Sequence, residues 1–174
     1  QGSTPRKDFA KMLIKYDGTF LGSVGGGCVE AEVWQEARKV MDNEKAKLMH
    51  FRLTEKDMEE SGLICGGSLD IFVEPILPDP ALFVFGAGHV AQPLVQMASI
   101  VGFKATVIDD REMFCNKERF PLAHKLLVGE FSNLFSQLLI NRSSYLVIVT
   151  RGHLHDQEVL EWACLTEARY VGMI

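Results

Sequence analysis

The pattern of apolar and polar positions changes character near residue 77. Before it the pattern is mixed. Phe9 to Tyr16 reads as a strand, Asp17-Gly18 as a hairpin signal and Thr19 to Val24 as the return strand. Val29 to Met41 then follows with helical spacing, which places Val29, Val33, Ala37 and Val40 on one face. Lys47 to Leu53 alternates as a half-buried strand, and Leu69 to Val73 as another. Three prolines, Pro75, Pro78 and Pro80, interrupt any helix or central strand and mark a hinge. Beyond the hinge, strands at 82–86, 105–109, 125–128, 145–150 and 169–173 alternate with helices at 89–101, 131–140 and 156–167. These strands are short apolar runs of the kind buried on both faces of a parallel sheet. The pattern predicts a small α+β domain over 1–77 and a parallel α/β domain over 78–174. Right-handed crossovers place the five strand carboxyl ends of the second domain on one edge.

The first strand of that second domain ends in Gly86-Ala87-Gly88-His89-Val90-Ala91, a G-x-G-x-x-A turn that opens a helix. The next strand stops at Asp109, 23 residues beyond Gly86. Strand, glycine turn, helix, second strand and acid in this register form a Rossmann fingerprint. Gly86 permits the tight turn, Gly88 lets backbone approach a pyrophosphate, and Ala91 lets the helix pack on the strand. Asp109 stands where an acid accepts a ribose hydroxyl, and its charge favours NAD over NADP. The C-terminal domain is therefore expected to be Rossmann-like. The competing expectation is the same fold with its glycines serving packing alone.

Composition narrows the class. At 174 residues the chain suits one large domain or two small ones, and 47% apolar with 24% charged residues is ordinary for a globular protein. A net charge of −5 without a basic face argues against nucleic acid as a partner. No apolar stretch reaches membrane-spanning length, and the start carries no signal peptide. Four cysteines without a CxxC pair indicate neither a structural zinc site nor a disulfide framework, and suit a cytoplasmic protein with reduced thiols. The chain begins at Gln1 inside a patterned segment and reads as part of a longer protein.

Two glycine–cysteine turns stand out in the first domain. Gly25-Gly26-Gly27-Cys28 lies between a strand and a helix start, where glycine N–H groups can form a nest for a phosphate. The same position sets Cys28 beside a positive helix end, which favours thiolate. Glu30, in the helix's first turn, either accepts two N–H donors from a purine- or pterin-like edge or simply complements the helix dipole. Cys65-Gly66-Gly67 precedes a strand and reads as an exposed thiol between flexible glycines or as a turn with a space-filling cysteine. At the carboxyl edge of the sheet, His89, Asp109-Asp110-Arg111 and Thr150-Arg151-Gly152-His153 can converge on one crevice. Asp156 or His155 is a natural N-cap for the helix from Gln157. Cys115 and Cys164 read as structural.

In their order along the chain, Gly2-Ser3-Thr4-Pro5-Arg6, Met12, Gly25-Gly26-Gly27-Cys28-Val29-Glu30, Cys65-Gly66-Gly67, Glu74-Pro75, the Gly86 fingerprint, Asp109-Asp110-Arg111, Thr150-Arg151-Gly152-His153 with Asp156, and Tyr170-Val171-Gly172-Met173-Ile174 closely resemble the XdhC/CoxI family. These are accessory factors of xanthine dehydrogenase and related molybdenum hydroxylases. The family pattern has a further segment before GSTPR and continues past GMI. The resemblance implies a protein that binds molybdenum cofactor, protects it during sulfuration and delivers it to the apo-hydroxylase. It also implies a homodimer, and a cysteine desulfurase as a second partner. The family pattern does not itself assign the pieces; on residue chemistry Cys28 and Cys65 are expected to hold or shield the metal end, since molybdenum with its dithiolene is soft enough for thiolate. The nest of Gly25, Gly26 and Gly27 takes the terminal phosphate, and Glu30 the amino-pyrimidinone edge. Gly66 and Gly67 flank the second thiol. The Rossmann crevice, with Gly86, Gly88, His89, Asp109, Asp110, Arg111, Arg151 and His153, binds the nucleotide of a dinucleotide cofactor, or NAD or another adenine nucleotide.

Two other functions compete with this cofactor-binding chaperone. One is an NAD-dependent oxidoreductase, for which His153 is the attractive acid/base. The other is a nucleotide-sensing module, which leaves both glycine–cysteine turns without purpose. Xanthine oxidation by the chain itself is not expected, because no clustered cysteines exist to ligate iron–sulfur centres.

Overall fold

The computed structural model describes residues 10–25, 27–53 and 67–174. Phe9, Gly26, Cys65 and Gly66 lie outside them. The chain divides into two compact units, Gln1–Leu77 and Pro78–Ile174.

In the first unit, β1 (Met12–Ile14) and β2 (Phe20–Gly22) form an antiparallel hairpin, shorter than the expected strands. Its turn follows from Asp17-Gly18: Gly18 takes φ +86, and Asp17 Oδ1 accepts both the N–H and the hydroxyl of Thr19. Helix α1 (Gly27–Asn43) buries Val29, Val33, Ala37 and Val40, the face expected from their spacing. That face packs on Ile71 and Val73 of β4 (Gly67–Val73), which pairs antiparallel with β3 (Lys47–Leu53). The Trp34 indole N–H donates to the Gly18 carbonyl at 2.9 Å and ties the hairpin tip to α1.

The second unit is a five-stranded sheet in the order β7-β6-β5-β8-β9, every pair parallel. Its strands are β5 (Ala81–Phe85), β6 (Lys104–Asp109), β7 (Lys125–Val128), β8 (Ser144–Ile148) and β9 (Tyr170–Met173). The sheet runs outward in both directions from β5, so the strand order reverses between β5 and β8, as in Rossmann-like folds. Successive residues of β5 serve opposite layers. Leu82 and Val84 pack with Ala91, Val95 and Ala98 of α2 (Ala91–Ile100). Phe83 and Phe85 pack with Phe131 and Leu134 of α3 (Phe131–Leu134) and Val159 of α4 (Asp156–Ala163).

The helix expected over 131–140 is the main departure. It is one turn of α3 followed by a 3-10 turn, Phe135–Gln137, after which Leu138 is extended. Ser132, Asn133 and Ser136 are weak helix formers. Phe135 instead stacks flat on Trp162, with ring centroids 4.4 Å apart. The helix expected over 156–167 stops at Ala163.

Phe85 is fully buried among the rings of Phe131, Phe135 and Trp162. Phe85→Ala is expected to cost about 3–5 kcal/mol in urea unfolding. Phe72→Ala, on the exposed side of β4, should stay within about 0.5 kcal/mol.

Candidate functional site

A cleft of about 470 Å³ opens beyond the carboxyl ends of β5, β6 and β8, at the point of strand-order reversal. Its floor is the glycine turn, represented by Gly88, His89 and Val90. The two fingerprint glycines serve different ends. Gly86 has φ +112, and a Cβ there would collide with the Val149 carbonyl oxygen, so its bareness is demanded by the neighbouring strand's backbone. Gly88 has open space where a Cβ would lie, so its bareness keeps the cleft open. Helix α2 starts at this floor with no side-chain cap on its first amides.

The fingerprint leads one to expect Asp109 to face a ribose. Its carboxylate is instead 1% exposed, and both oxygens are already engaged. Oδ2 accepts the Ala87 N–H at 2.7 Å and Arg111 Nη2–H at 3.0 Å, while Oδ1 accepts the Arg111 backbone N–H and Nε–H. Burial works to raise this pKa, but the Arg111 and Ala87 donors outweigh it and hold the group below the ordinary carboxylate value. The ion pair in turn raises Arg111 above its usual value. Asp110 lies between Arg111 Nε and Arg151 Nη2, 3.5 Å from each. It thereby joins the loop after β6 to the loop after β8.

The loop after β8 contains a second polar constellation. Gly152 and His153 take φ +56 and +60, and a left-handed histidine is a strained choice. His153 Nδ1 lies 2.7 Å from Asp156 Oδ2, and the Thr150 hydroxyl donates to Asp156 Oδ1 at 2.5 Å. Asp156 is buried, which works to raise its pKa, yet the Thr150 and His153 hydrogen bonds hold it lowered. An ionised Asp156 keeps the proton on Nδ1 and leaves Nε2 for the cleft, which His153 and Thr150 line. This settles the capping expectation on His155 and corrects it for Asp156. His155 occupies the N-cap position without a side-chain hydrogen bond to the helix amides, and Asp156 orients a histidine.

Phe114 and Arg119, which line the cleft, and Gln92, which contacts Arg119, have no distinguishing sequence signal. Phe114 meets the Arg111 guanidinium at 4.0 Å and the Arg119 guanidinium at 5.1 Å from its ring centroid. Arg119 reaches the glycine turn at Ala87 O and, at 3.4 Å, α2 at Gln92 Oε1. Phe114 and Arg119 lie in an aperiodic loop, and Gln92 reads as an ordinary polar position on α2.

In the first unit, Cys28 is a free, exposed thiol at the second residue of α1. Gly25 and Gly27 take φ +133 and +64, and a Cβ at Gly25 would meet nothing within 4 Å. Glu30 is drawn back onto the preceding turn, where Oε1 accepts the Ser23 hydroxyl at 2.6 Å and the Val24 N–H at 3.1 Å. Its visible work is thus to fasten the turn that leads into α1. Gly67 opens β4. Cys65 and Gly66, with Gly26, fall outside the described residues. Cys115 is buried, donates weakly to the Val107 and Leu127 carbonyls, and its thiol is pushed up to about 11 by that burial. Among the described residues, no group of three or more His, Cys, Asp or Glu is arranged to hold a metal ion.

Residues 82–174 match a family model described as the XdhC Rossmann domain, and residues 1–52 match that of the XdhC and CoxI family. An uncharacterised Escherichia coli K12 protein, YqeB, is 32% identical over the whole of this chain, which spans 32% of that relative's length. A Bacillus subtilis protein described as a probable subunit of xanthine dehydrogenase is 29% identical, again over the whole chain and over 76% of the relative. A crystal structure described as a xanthine dehydrogenase from Bacillus halodurans superposes with a TM-score of 0.52 at 23% identity. It covers all of this chain and 74% of that one, and shares the fold.

Two measurements check this geometry. Gly86→Ala should lower the thermal midpoint sharply, because its methyl meets backbone, whereas Gly88→Ala should melt near wild type. The second concerns acid stability. The folded pKa values of Asp109 and Asp156 lie below the reference 3.8, so their contribution is complete above that value. It is lost as pH falls from there through the lower folded values. Asp109→Asn should flatten stability against pH in that window, as measured by urea unfolding at successive pH.

Proposed function

Because this chain belongs to the XdhC and CoxI family, we propose that it acts as an accessory protein of a xanthine dehydrogenase-type molybdenum hydroxylase. It binds molybdenum cofactor, shelters it while an oxo ligand is exchanged for sulfido, and hands it to the apo-enzyme. The description carried by the Bacillus subtilis relative is consistent with that partnership. A cysteine desulfurase as sulfur source, a homodimeric state and a cytoplasmic site of action belong to the same reading. Among the described residues no helix is long and apolar enough to cross a membrane.

The observation that carries the reading is the cleft at the end of β5 and β8. Open space over Gly88, uncapped α2 amides and bordering arginines suit the phosphates of a nucleotide. In this proposal the cleft holds the nucleotide portion of a dinucleotide cofactor. Cys28 and Cys65 supply thiolates to the metal, with Gly25 and Gly27 offering backbone amides to a phosphate. Exposure of Cys28 and the open space at Gly25 fit that use. The bound group would supply the molybdenum centre on which the hydroxylase depends, and this chain's residues would retain and shield it.

One observation favours a second reading, an NAD-dependent oxidoreductase: His153 is oriented by Asp156 beside the cleft, as an acid/base requires. The two readings separate experimentally. The chain should retain molybdenum cofactor through gel filtration and reconstitute an apo-hydroxylase, and Cys28→Ala and Cys65→Ala should release the cofactor without changing the melting temperature. Equal retention by both variants removes the thiols from the mechanism. Oxidation of NADH coupled to a carbonyl substrate would establish the oxidoreductase instead.

A further inference from the structure

Countercharge is unevenly shared among the arginines around the cleft. Arg111 is matched by Asp109 at 2.8 Å, and Arg151 by Asp110 at 3.5 Å. Arg119 has no carboxylate within ion-pair distance among the described residues. Its Nη2 reaches only neutral oxygens, Ala87 O at 3.5 Å and Gln92 Oε1 at 3.4 Å, both at the long limit of a hydrogen bond. Its Nε is sealed from solvent and has no acceptor. A buried donor on a charged group without a partner is costly, so a native structure that tolerates one calls for an explanation. A second cation stands close by, for Phe114 holds the guanidinium groups of both Arg111 and Arg119 against its ring. Arg111, Arg119 and Arg151 together face two carboxylates, Asp109 and Asp110, the latter shared between Arg111 and Arg151, which leaves a local excess of positive charge. All three arginines line the cleft.

We infer that Arg111, Phe114 and Arg119 form a subsite for a phosphate monoester. It complements the glycine turn, which takes a phosphate diester or pyrophosphate. This deepens the reading that the cleft holds a nucleotide, and rests on it. Planar guanidinium forks suit phosphate oxygens, and Phe114 fixes their planes before the ligand arrives. The identity of the residue at the end of β6 argues the same way. An exposed acid there repels a phosphate and prefers a ribose diol. Asp109 is enclosed and neutralised, and it presents Arg111 in its place. The ligand class is a nucleotide carrying a phosphomonoester, either on the ribose 2′ position or at its terminus.

Calorimetric titration of the chain with 2′-phospho-ADP-ribose, ADP and ADP-ribose distinguishes the two sources. One of the first two should bind about tenfold more tightly than ADP-ribose, as expected for one added charge-assisted contact. A gain with 2′-phospho-ADP-ribose identifies the ribose phosphate, and a gain with ADP the terminal one. Arg119→Ala should shrink that gap to less than about threefold while melting normally, and Arg119→Lys should restore it only in part. If all three bind with equal affinity, the subsite is refuted and the nucleotide cleft stands. An unchanged gap in Arg119→Ala refutes Arg119 as its source. If none of the three binds, the cleft reading fails and the subsite falls with it.

Discussion

The carboxylate of Asp109 is the constraint on which the second unit's cleft depends. Four donors from two directions converge on it: the amide of Ala87 in the glycine turn, and the amide and guanidinium of Arg111 beyond β6. One buried anion therefore sets the path of the turn, the end of the neighbouring strand and the orientation of a cleft arginine. Charge-assisted bonds of this kind are strong when every lone pair is used and leave a large desolvation cost when one is lost. Arg111 then lies against Phe114, and Phe114 against Arg119. The electrostatics of the cleft rim are thus rooted inside the sheet.

Much of the architecture could be read from periodicity. Val29, Val33, Ala37 and Val40 recur at helical spacing and are all buried on α1. The five apolar runs after the prolines became five parallel strands in one sheet. Periodicity failed where side-chain contacts outside the segment decide the backbone. Around Phe135, stacking on Trp162 prevails over a continuous helix that serine and asparagine support poorly.

The site was less legible, for a related reason. Spacing identifies where an acid stands and says nothing about how many donors surround it, so the engagements of Asp109 and Glu30 emerge only from the fold. Arg119 was invisible altogether. It sits in a loop without pattern, 32 residues from the Ala87 carbonyl it approaches, and only folding brings the two together. The pairing of Asp156 with His153 was masked by a commoner use of aspartate near a helix start.

The loop after β8 carries a consequence for how that histidine behaves. Its side chain is anchored on Asp156, the first residue of α4, and α4 is seated on the sheet by Val159, which is wholly enclosed. The imidazole, although 75% exposed, is consequently tethered at Nδ1 to a carboxylate whose helix is seated in the hydrocarbon interior. Its position is governed by packing on the far side of β8, and a change of volume there would re-aim it without touching a single polar atom.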